Sequence, residues 1–317
     1  MKKSIKVIGC GVSGLTVAIV LLEHGYDVEI ITEKLPHQTT SSKAAAIWFP
    51  YEVMPKEKVR TWCKESYAKF KELCQSPNSG VSIISLTILV KKEEDAWWKN
   101  ALPKQEIRKC TKEELPLNYP HGFKMNVPLV ETPIYLDFLF NKFKSLNGKL
   151  SVNKINDLSE LNTKNEIIVN CTGLSSRELV NDKLLFPIHG QIIKAEPQTQ
   201  TNCIAADFTF GENMDKIACV IPRNDCLILG GTAIKGKEDT DPTEEFTEGI
   251  IERCKEIDPS LNDIKIKSVE VGLRPGRSEI RIEREGNIIH NYGHGGGGFT
   301  VSWGCAKEVI KIIEKTN

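Results

Sequence analysis

The sequence predicts an α/β protein of two interleaved domains, and three features of the 317-residue chain carry that expectation. An apolar strand, a glycine-rich turn and a helix open the chain and a second strand follows, which is a β-α-β unit. From Gln191 onward, strand-like segments succeed one another as in a largely antiparallel sheet. A second glycine-rich run then leads into a closing helix, and no Gly/Ser linker, internal repeat or low-complexity tract separates the parts.

Taken in order, Ile5 to Ile8 reads as a buried strand, Gly14 to His24 as a helix and Val28 to Thr32 as a second strand. Lys56 to Cys74 has the polarity of a surface helix, and Ser82 to Lys91 that of a strand. Thr111 and Glu114 have the spacing of a capping box that starts a helix. Phe123 to Val130 is a strand, and Thr132 before Pro133 gives an N-cap and first-turn pair for a helix to Leu146, stopped by Asn147-Gly148. Strand patterns recur at Glu166 to Asn170, Gln191 to Ala195, Ile217 to Ile221 and Cys226 to Leu229. Asp241-Pro242 opens a helix to about Ile257, and Ile264 to Val271 returns as a strand. From Gly298 a helix presents Cys305, Val309, Ile312 and Ile313 on one apolar face.

Composition narrows the function classes. The chain has 42 basic and 42 acidic residues, so it lacks the basic excess that phosphate neutralisation demands of a nucleic-acid binder. Forty per cent hydrophobic and 26% charged residues fit a globular enzyme. No run approaches the roughly 20 apolar residues of a membrane span. The ten cysteines form no Cys-x-x-Cys pair and no His/Cys ligand spacing, so no metal is expected; they read as reduced core residues of a cytoplasmic protein. The basic tip and apolar start are interrupted by Gly9 and Gly11, with no small-residue cleavage pattern after Leu22, which argues against a leader. Lys315-Thr316-Asn317 is not a Ser-Lys-Leu address.

Gly9-Cys10-Gly11-Val12-Ser13-Gly14 sits between strand and helix, the context that makes this glycine spacing informative. Gly9 permits the tight turn, and Gly11 lets backbone amides, including those of Val12 and Ser13, approach a pyrophosphate. Gly14 lets helix and strand pack closely. Glu33, at the end of the second strand, is placed to accept hydrogen bonds from ribose hydroxyls and disfavours a 2′-phosphate. These residues leave FAD and NAD open.

Val271-Gly-Leu-Arg-Pro-Gly-Arg277, followed by His290-Asn-Tyr-Gly-His-Gly-Gly-Gly-Gly-Phe-Thr300 and Val301-Ser-Trp-Gly304, resembles the D-amino-acid oxidases. Thr39-Thr40-Ser41 through Ala46-Ile47-Trp48, Asn170-Cys-Thr-Gly173, Gly190-Gln191 and Leu229-Gly-Gly-Thr232 fall in that family's order, so the likeness spans nearly the whole chain. The resemblance implies a discontinuous, Rossmann-like FAD-binding domain of residues 1–52, 137–188 and 266–317. A second, α+β substrate domain of residues 53–136 and 189–265 would be built on a mixed, largely antiparallel sheet. It implies FAD as cofactor, held further by Thr40, Ser41, Ala45, Ala46, Cys171, Thr172, Gly173, Gly190 and Gln191. Gly293, Gly295, Gly296, Gly297, Gly298, Phe299 and Thr300 would bring backbone against the flavin ring. Arg274 becomes the anchor of a substrate carboxylate beside the flavin, with Gly296 and, as a second-rank site, Cys219 as further catalytic candidates. Arg277 and Arg281 read as structural.

Physical chemistry supports the same assignments. Four consecutive glycines allow close backbone approach to a planar ring and lead into a helix N-terminus, which favours the negative charge of a reduced flavin. The guanidinium fork of Arg274 matches a carboxylate bidentately, and Pro275 ends regular ladder pairing beside it. The chain departs from the family at Cys219, where a tyrosine is usual, and at Gly297, where another is usual, so a wide pocket is expected. Cys219 is open to two readings, substrate contact or small packing residue. Ala233 replaces the arginine that D-aspartate oxidases place after Gly-Gly-Thr, which disfavours acidic substrates.

The expected activity is oxidation of neutral D-amino acids with dioxygen to 2-oxo acids, ammonia and hydrogen peroxide, by hydride transfer without a side-chain base. A flavin amine oxidase acting on glycine, N-methyl or imino acids is one alternative and a non-catalytic FAD-binding protein another. Nucleic acid and membrane are not expected partners, and homodimer formation is left open.

Overall fold

Both ends of the chain build one sheet, and the middle builds another. The computed structural model describes residues 3–51, 53–93, 96–161, 166–198, 202–206 and 216–315. Contacts divide it into two units: the chain up to Val81, Val130–Phe186 and from Arg274 onward form the first, and Ser82–Leu129 with Pro187–Leu273 the second.

In the first unit β1 (Ser4–Ile8), α1 (Val12–Glu23), β2 (Asp27–Thr32) and α2 (Lys56–Leu73) come first. β3 (Val81–Val90), β4 (Ile107–Lys109) and β5 (His121–Val130) then enter the second unit, and α3 (Thr132–Ser145), β6 (Lys149–Val152), β7 (Ile167–Asn170) and α4 (Ser176–Leu179) return to the first. The second unit resumes with β8 (Phe186–Ala195), β9 (Cys203–Ala206), β10 (Lys216–Pro222), β11 (Leu227–Thr232), β12 (Ile234–Lys235) and α5 (Glu244–Ile257). β13 (Ile266–Gly276) carries the chain back to β14 (Arg281–Glu285), β15 (Ile288–Tyr292) and α6 (Gly298–Lys315).

The first sheet has the order β14-β15-β7-β1-β2-β6 and is parallel apart from the β14–β15 pair. β7 is buried along its whole length, and Ile5, Val7 and Ile8 of β1 are buried, as befits parallel strands in the middle of a sheet. α1 is apolar almost all round and lies buried against this sheet.

α2 belongs to this unit as well, which moves the expected boundary at residue 52 to Val81. The cause is Gly304 of α6: a Cβ there would stand 2.3 Å from the Trp62 Cα and carbonyl oxygen, so the two helix backbones touch. The Gly304 amide also donates to Ser66 Oγ at 3.0 Å. The other breaks shift less, from 137 to Val130 and from 266 to Arg274.

The second sheet runs β12-β8-β11-β10-β9-β3-β5-β4, with β13 added on β8. Its β8, β11, β10 and β9 pair antiparallel and β9 pairs parallel with β3, which gives the mixed, largely antiparallel character expected. Ile250, Cys254 and Ile257 of α5 pack with Ala218, Val220, Leu227 and Leu229 to form the core over β10 and β11.

Local signals were partly overridden. Thr111 and Glu114 do form a capping box, but only a 3₁₀ turn follows (Lys112–Glu114), because Leu115 precedes Pro116 and is extended (φ −101°, ψ 135°). Thr132 lies inside α3, with Glu131 at the N-cap position but making no side-chain cap, and its hydroxyl reaches Ser42 O at 3.4 Å. α5 starts at Glu244 because the Thr243 side chain accepts from the Phe246 amide. No helix among the described residues is long and apolar enough to cross a membrane.

Candidate active site

The turn between β1 and α1 is built by backbone contact. Gly9 has φ 104° and donates to Ile31 O at 2.9 Å. A Cβ at Gly14 would stand 2.0 Å from the Gly9 carbonyl oxygen, and one at Gly9 2.7 Å from the Cys171 carbonyl oxygen. Gly11 is the N-cap of α1, without a side-chain cap and with no acidic residue in the first turn. That helix end therefore suits an anion. Ser41 faces it, its Oγ accepting from the Val12 amide at 3.0 Å, within the 3₁₀ turn Thr40–Lys43. Glu33 stands exposed directly after β2. Ala46, which follows Ala45, has φ 55° and its carbonyl accepts from Val130 N, a left-handed turn that an alanine tolerates at a cost.

A second loop follows β7 directly. Thr172 donates to Asn170 Oδ1 from both its amide (3.1 Å) and its hydroxyl (2.8 Å), and Gly173 has φ 59°. The third segment runs from Gly293 to Thr300. Gly293 and Gly295 have φ of 81° and 50°, which a β-carbon disfavours. Gly296 is exposed, yet a Cβ on it would meet the Tyr51 ring at 2.6 Å; one on Gly297 would meet Val53 at 2.6 Å. Gly298 begins α6, and Phe299 is buried at a ring-centroid distance of 6.2 Å from Tyr135. Thr300 uses its hydroxyl within the protein, accepting from Phe49 N at 3.1 Å and donating to Phe49 O at 2.9 Å.

His294 connects the first and third segments. It is 4% exposed, and burial pushes its imidazole down to about 4. The neutral ring donates from Nε2 to Asn291 Oδ1 at 3.0 Å and accepts at Nδ1 from Ser13 Oγ at 3.4 Å.

Arg274 lies half-buried near the end of β13, and the next residue, Pro275, comes within 3.9 Å of where Gly173 would carry a Cβ. Arg277 and Arg281 are both engaged in hydrogen bonds within the protein. Arg277 Nε donates to Asp182 Oδ2 at 3.0 Å, and Arg281 Nη1 donates to Tyr292 Oη at 2.8 Å. Burial pushes the Asp182 carboxyl up, but the Tyr292 hydroxyl, the Leu184 amide and the Arg277 guanidinium outweigh it and hold it below the usual range.

The second unit holds the remaining candidates. Cys219 is half-buried, faces Gly230 across the β10–β11 ladder, and its Sγ lies 2.8 Å from where a Gly230 Cβ would be. Gly190 is buried beside it in sequence to Gln191, whose polar side-chain atoms serve α5: Nε2 donates to Thr243 O (3.0 Å) and Thr247 Oγ1 (2.9 Å), and Oε1 accepts from Thr243 N (3.0 Å). That geometry makes the Gln191 side chain a helix clamp. Sequence reading missed Tyr51, Val53, Asp182 and the link through His294. Tyr51 and Val53 follow the quoted Trp48 motif, and His294 stands inside the glycine-rich one, so proximity to those motifs was the available signal.

The model of the FAD dependent oxidoreductase family, called DAO, matches residues 4–312. The chain belongs to this family. Among curated relatives of this oxidoreductase, a D-amino-acid oxidase of Dictyostelium discoideum is 39% identical over 99% of this chain and 92% of its own length. One of Rubrobacter xylanophilus is 36% identical over 96% and 94%. Among solved structures, glycine oxidase from Geobacillus kaustophilus superposes with a TM-score of 0.80 at 16% identity, covering 99% of this chain and 95% of its own, which establishes the shared fold. FAD is the oxidoreductase's cofactor. The residues present fit it: glycine backbone at Gly9, Gly11 and Gly14, a helix N-terminus whose N-cap is a glycine and an acid after β2 have the chemistry that the adenosine and pyrophosphate half of such a site requires.

Proposed function

We propose that this oxidoreductase oxidises D-amino acids, neutral ones by preference, to imino acids that hydrolyse to 2-oxo acids and ammonia, with dioxygen reduced to hydrogen peroxide. The observation that carries the reading is Arg274, a half-buried guanidinium whose strand end meets the Gly173 loop of the cofactor cradle through Pro275. The curated relatives, D-amino-acid oxidases by name, support it.

When bound, FAD supplies the two-electron acceptor at the flavin ring. The protein's part is binding and orientation. Arg274 pairs with the substrate carboxylate through two parallel N–H···O bonds, which fixes the plane of the amino acid as a lysine could not. Gly293, Gly296 and Gly297 let Arg277, Tyr51 and Val53 pack directly against the backbone of the run that faces the flavin, and Gly9 to Gly14, Ser41 and Glu33 hold the cofactor's other end. With both reactants held, most of the rate comes from positioning, so no side-chain base is required.

Cys219 and Gly297, small where relatives of this family carry tyrosine, favour a second reading in which glycine or N-methyl amino acids are also taken. Its reduced cysteines, which form no disulfide, support a cytoplasmic location.

The test is peroxide release from FAD-loaded protein with D- and L-amino acids, glycine and N-methylglycine. D-amino acids alone should give sustained turnover. Arg274→Ala should raise the KM by about a hundredfold, as expected when a charge-assisted pair of roughly 3 kcal/mol is lost, while FAD stays bound. No peroxide from any D-amino acid by yellow, FAD-saturated protein would refute the activity.

A further inference from the structure

Arg277 follows Arg274 by three residues and is the first residue beyond β13. Its aliphatic stem lies against Gly293, where a Cβ would stand 2.9 Å from the Arg277 Cβ and 3.0 Å from its Cδ. Its head group reaches Asp182, Nε to Oδ2 at 3.0 Å, with side-chain exposures of 14% and 5%. Asp182 in turn accepts from the Tyr292 hydroxyl at 2.8 Å and, at Oδ1, from the Leu184 amide at 3.0 Å. Tyr292 is fully buried and also accepts from Arg281 at 2.8 Å. One side chain therefore touches both the glycine that begins the cofactor run and a buried carboxylate, and it sits three residues beyond the proposed substrate anchor.

A surface ion pair would do little, since exposed pairs contribute only about 0–1 kcal/mol and tolerate many geometries. This one is different in kind. The carboxylate is almost wholly enclosed and has three donors in fixed directions, so the Arg277 guanidinium has a single place to sit. The contact with Gly293 fixes the other end of the same side chain. The end of β13, Pro275–Gly276, is then held by a side chain fixed at two points, and the direction in which Arg274 projects from the strand is set by it.

We propose that Arg277 and Asp182, with Tyr292 behind them, are positioning residues that fix Arg274 relative to the cofactor run and so set the affinity for the substrate carboxylate. The inference rests on the proposed role of Arg274 and extends it to a network two side chains deep. It needs the Gly293 face to stay bare, and it assigns no contact with substrate to Arg277 or Asp182.

The experiment compares FAD-loaded wild-type protein with Asp182→Asn, Tyr292→Phe, Arg277→Met and Arg277→Lys. Three readouts are taken: the FAD Kd, the separate kcat and KM for a D-amino acid, and the Kd of its 2-oxo acid product, read from the perturbed flavin absorbance. Misplacing a reactive group by about an ångström costs up to about a hundredfold, so KM and the product Kd should rise about tenfold or more in Asp182→Asn and Arg277→Met. The FAD Kd should stay within about twofold, kcat should fall far less than KM rises, and Arg277→Lys, which keeps the stem and the charge, should recover part of the loss. Tyr292→Phe removes one hydroxyl without emptying the site and provides the test should Asp182→Asn fold poorly. Unchanged KM and product Kd in Tyr292→Phe and both Arg277 variants would overturn the proposal, as would loss of FAD binding in step with KM. Failure of the functional reading looks different: wild-type protein would then turn over no D-amino acid at all.

Discussion

His294 makes the stability of this oxidoreductase sensitive to acid in a calculable way. Its imidazole is buried without a charged partner, and burial alone lowers it from 6.5 to about 4. The unfolded chain therefore binds a proton between those values that the folded chain refuses, so stability falls as the pH drops through that window and levels off below it. At about 1.4 kcal/mol per unit, the full cost is roughly 3 kcal/mol, of which about 2.5 kcal/mol is already felt at pH 4.5. His294→Gln keeps an amide donor for Asn291 Oδ1 and an acceptor for Ser13 while abolishing the titration.

The assay is urea unfolding of wild type and variant at fixed excess FAD, in steps from pH 7.5 to 4.5. Above pH 7 the two should differ by no more than the geometry of the replaced hydrogen bonds. Towards pH 4.5 the wild type should lose about 2–3 kcal/mol that the variant retains. His290, which burial also pushes down, is present in both proteins and cancels in the difference. Parallel pH profiles for the two proteins would refute the claim that His294 is folded neutral at the crossing of Ser13 and Asn291.

Three substitutions test the packing that forms the site. Gly14→Ala puts a methyl group 2.0 Å from the Gly9 carbonyl oxygen, so the β1–α1 turn must open; FAD titration by fluorescence quenching should show affinity lost by about a hundredfold or more, equivalent to roughly 3 kcal/mol. Gly230→Ala collides with Cys219 Sγ and should destabilise by about 1–3 kcal/mol, and adding Cys219→Ala should restore part of that in a double-mutant cycle of denaturant midpoints. Gly304→Ala forces α6 off the Trp62 backbone and should lower the melting temperature by a few degrees, at about 1.5 °C per kcal/mol for a chain of this size, even without FAD.

Much of the first unit was legible because its constraints are local. The turn Gly9 to Gly14 announces itself through residues that lack side chains, and strand and helix patterns on either side agree with it, so three levels of evidence point to one geometry. Arg274 was legible only through its motif: an arginine before a proline has no periodicity of its own. The boundary near residue 52 misled because α2 has the polar face of a surface helix. What binds it to the first unit is Gly304, a missing side chain some 240 residues away. A glycine in a helix costs about 1 kcal/mol relative to alanine, and that cost was the only trace in the sequence that another backbone approaches there.

The same contrast separates the two kinds of site residue. Gln191 looked like a cofactor ligand because it stands in a shared motif, yet its amide is wholly engaged in fastening the start of α5 to β8. Order along the chain identifies which positions matter without saying what each one does. Asp182 shows the converse: in sequence it is one of 42 acidic residues, in a stretch with no motif, and only the fold reveals a carboxylate with three donors, one of them just beyond the end of β13. Residues that touch ligands are constrained by chemistry and recur in recognisable runs. Those that aim them are constrained by distances between segments far apart in the chain, such as Asp182 and Arg277, and pairs of that kind become visible once β13 and β15 are in place.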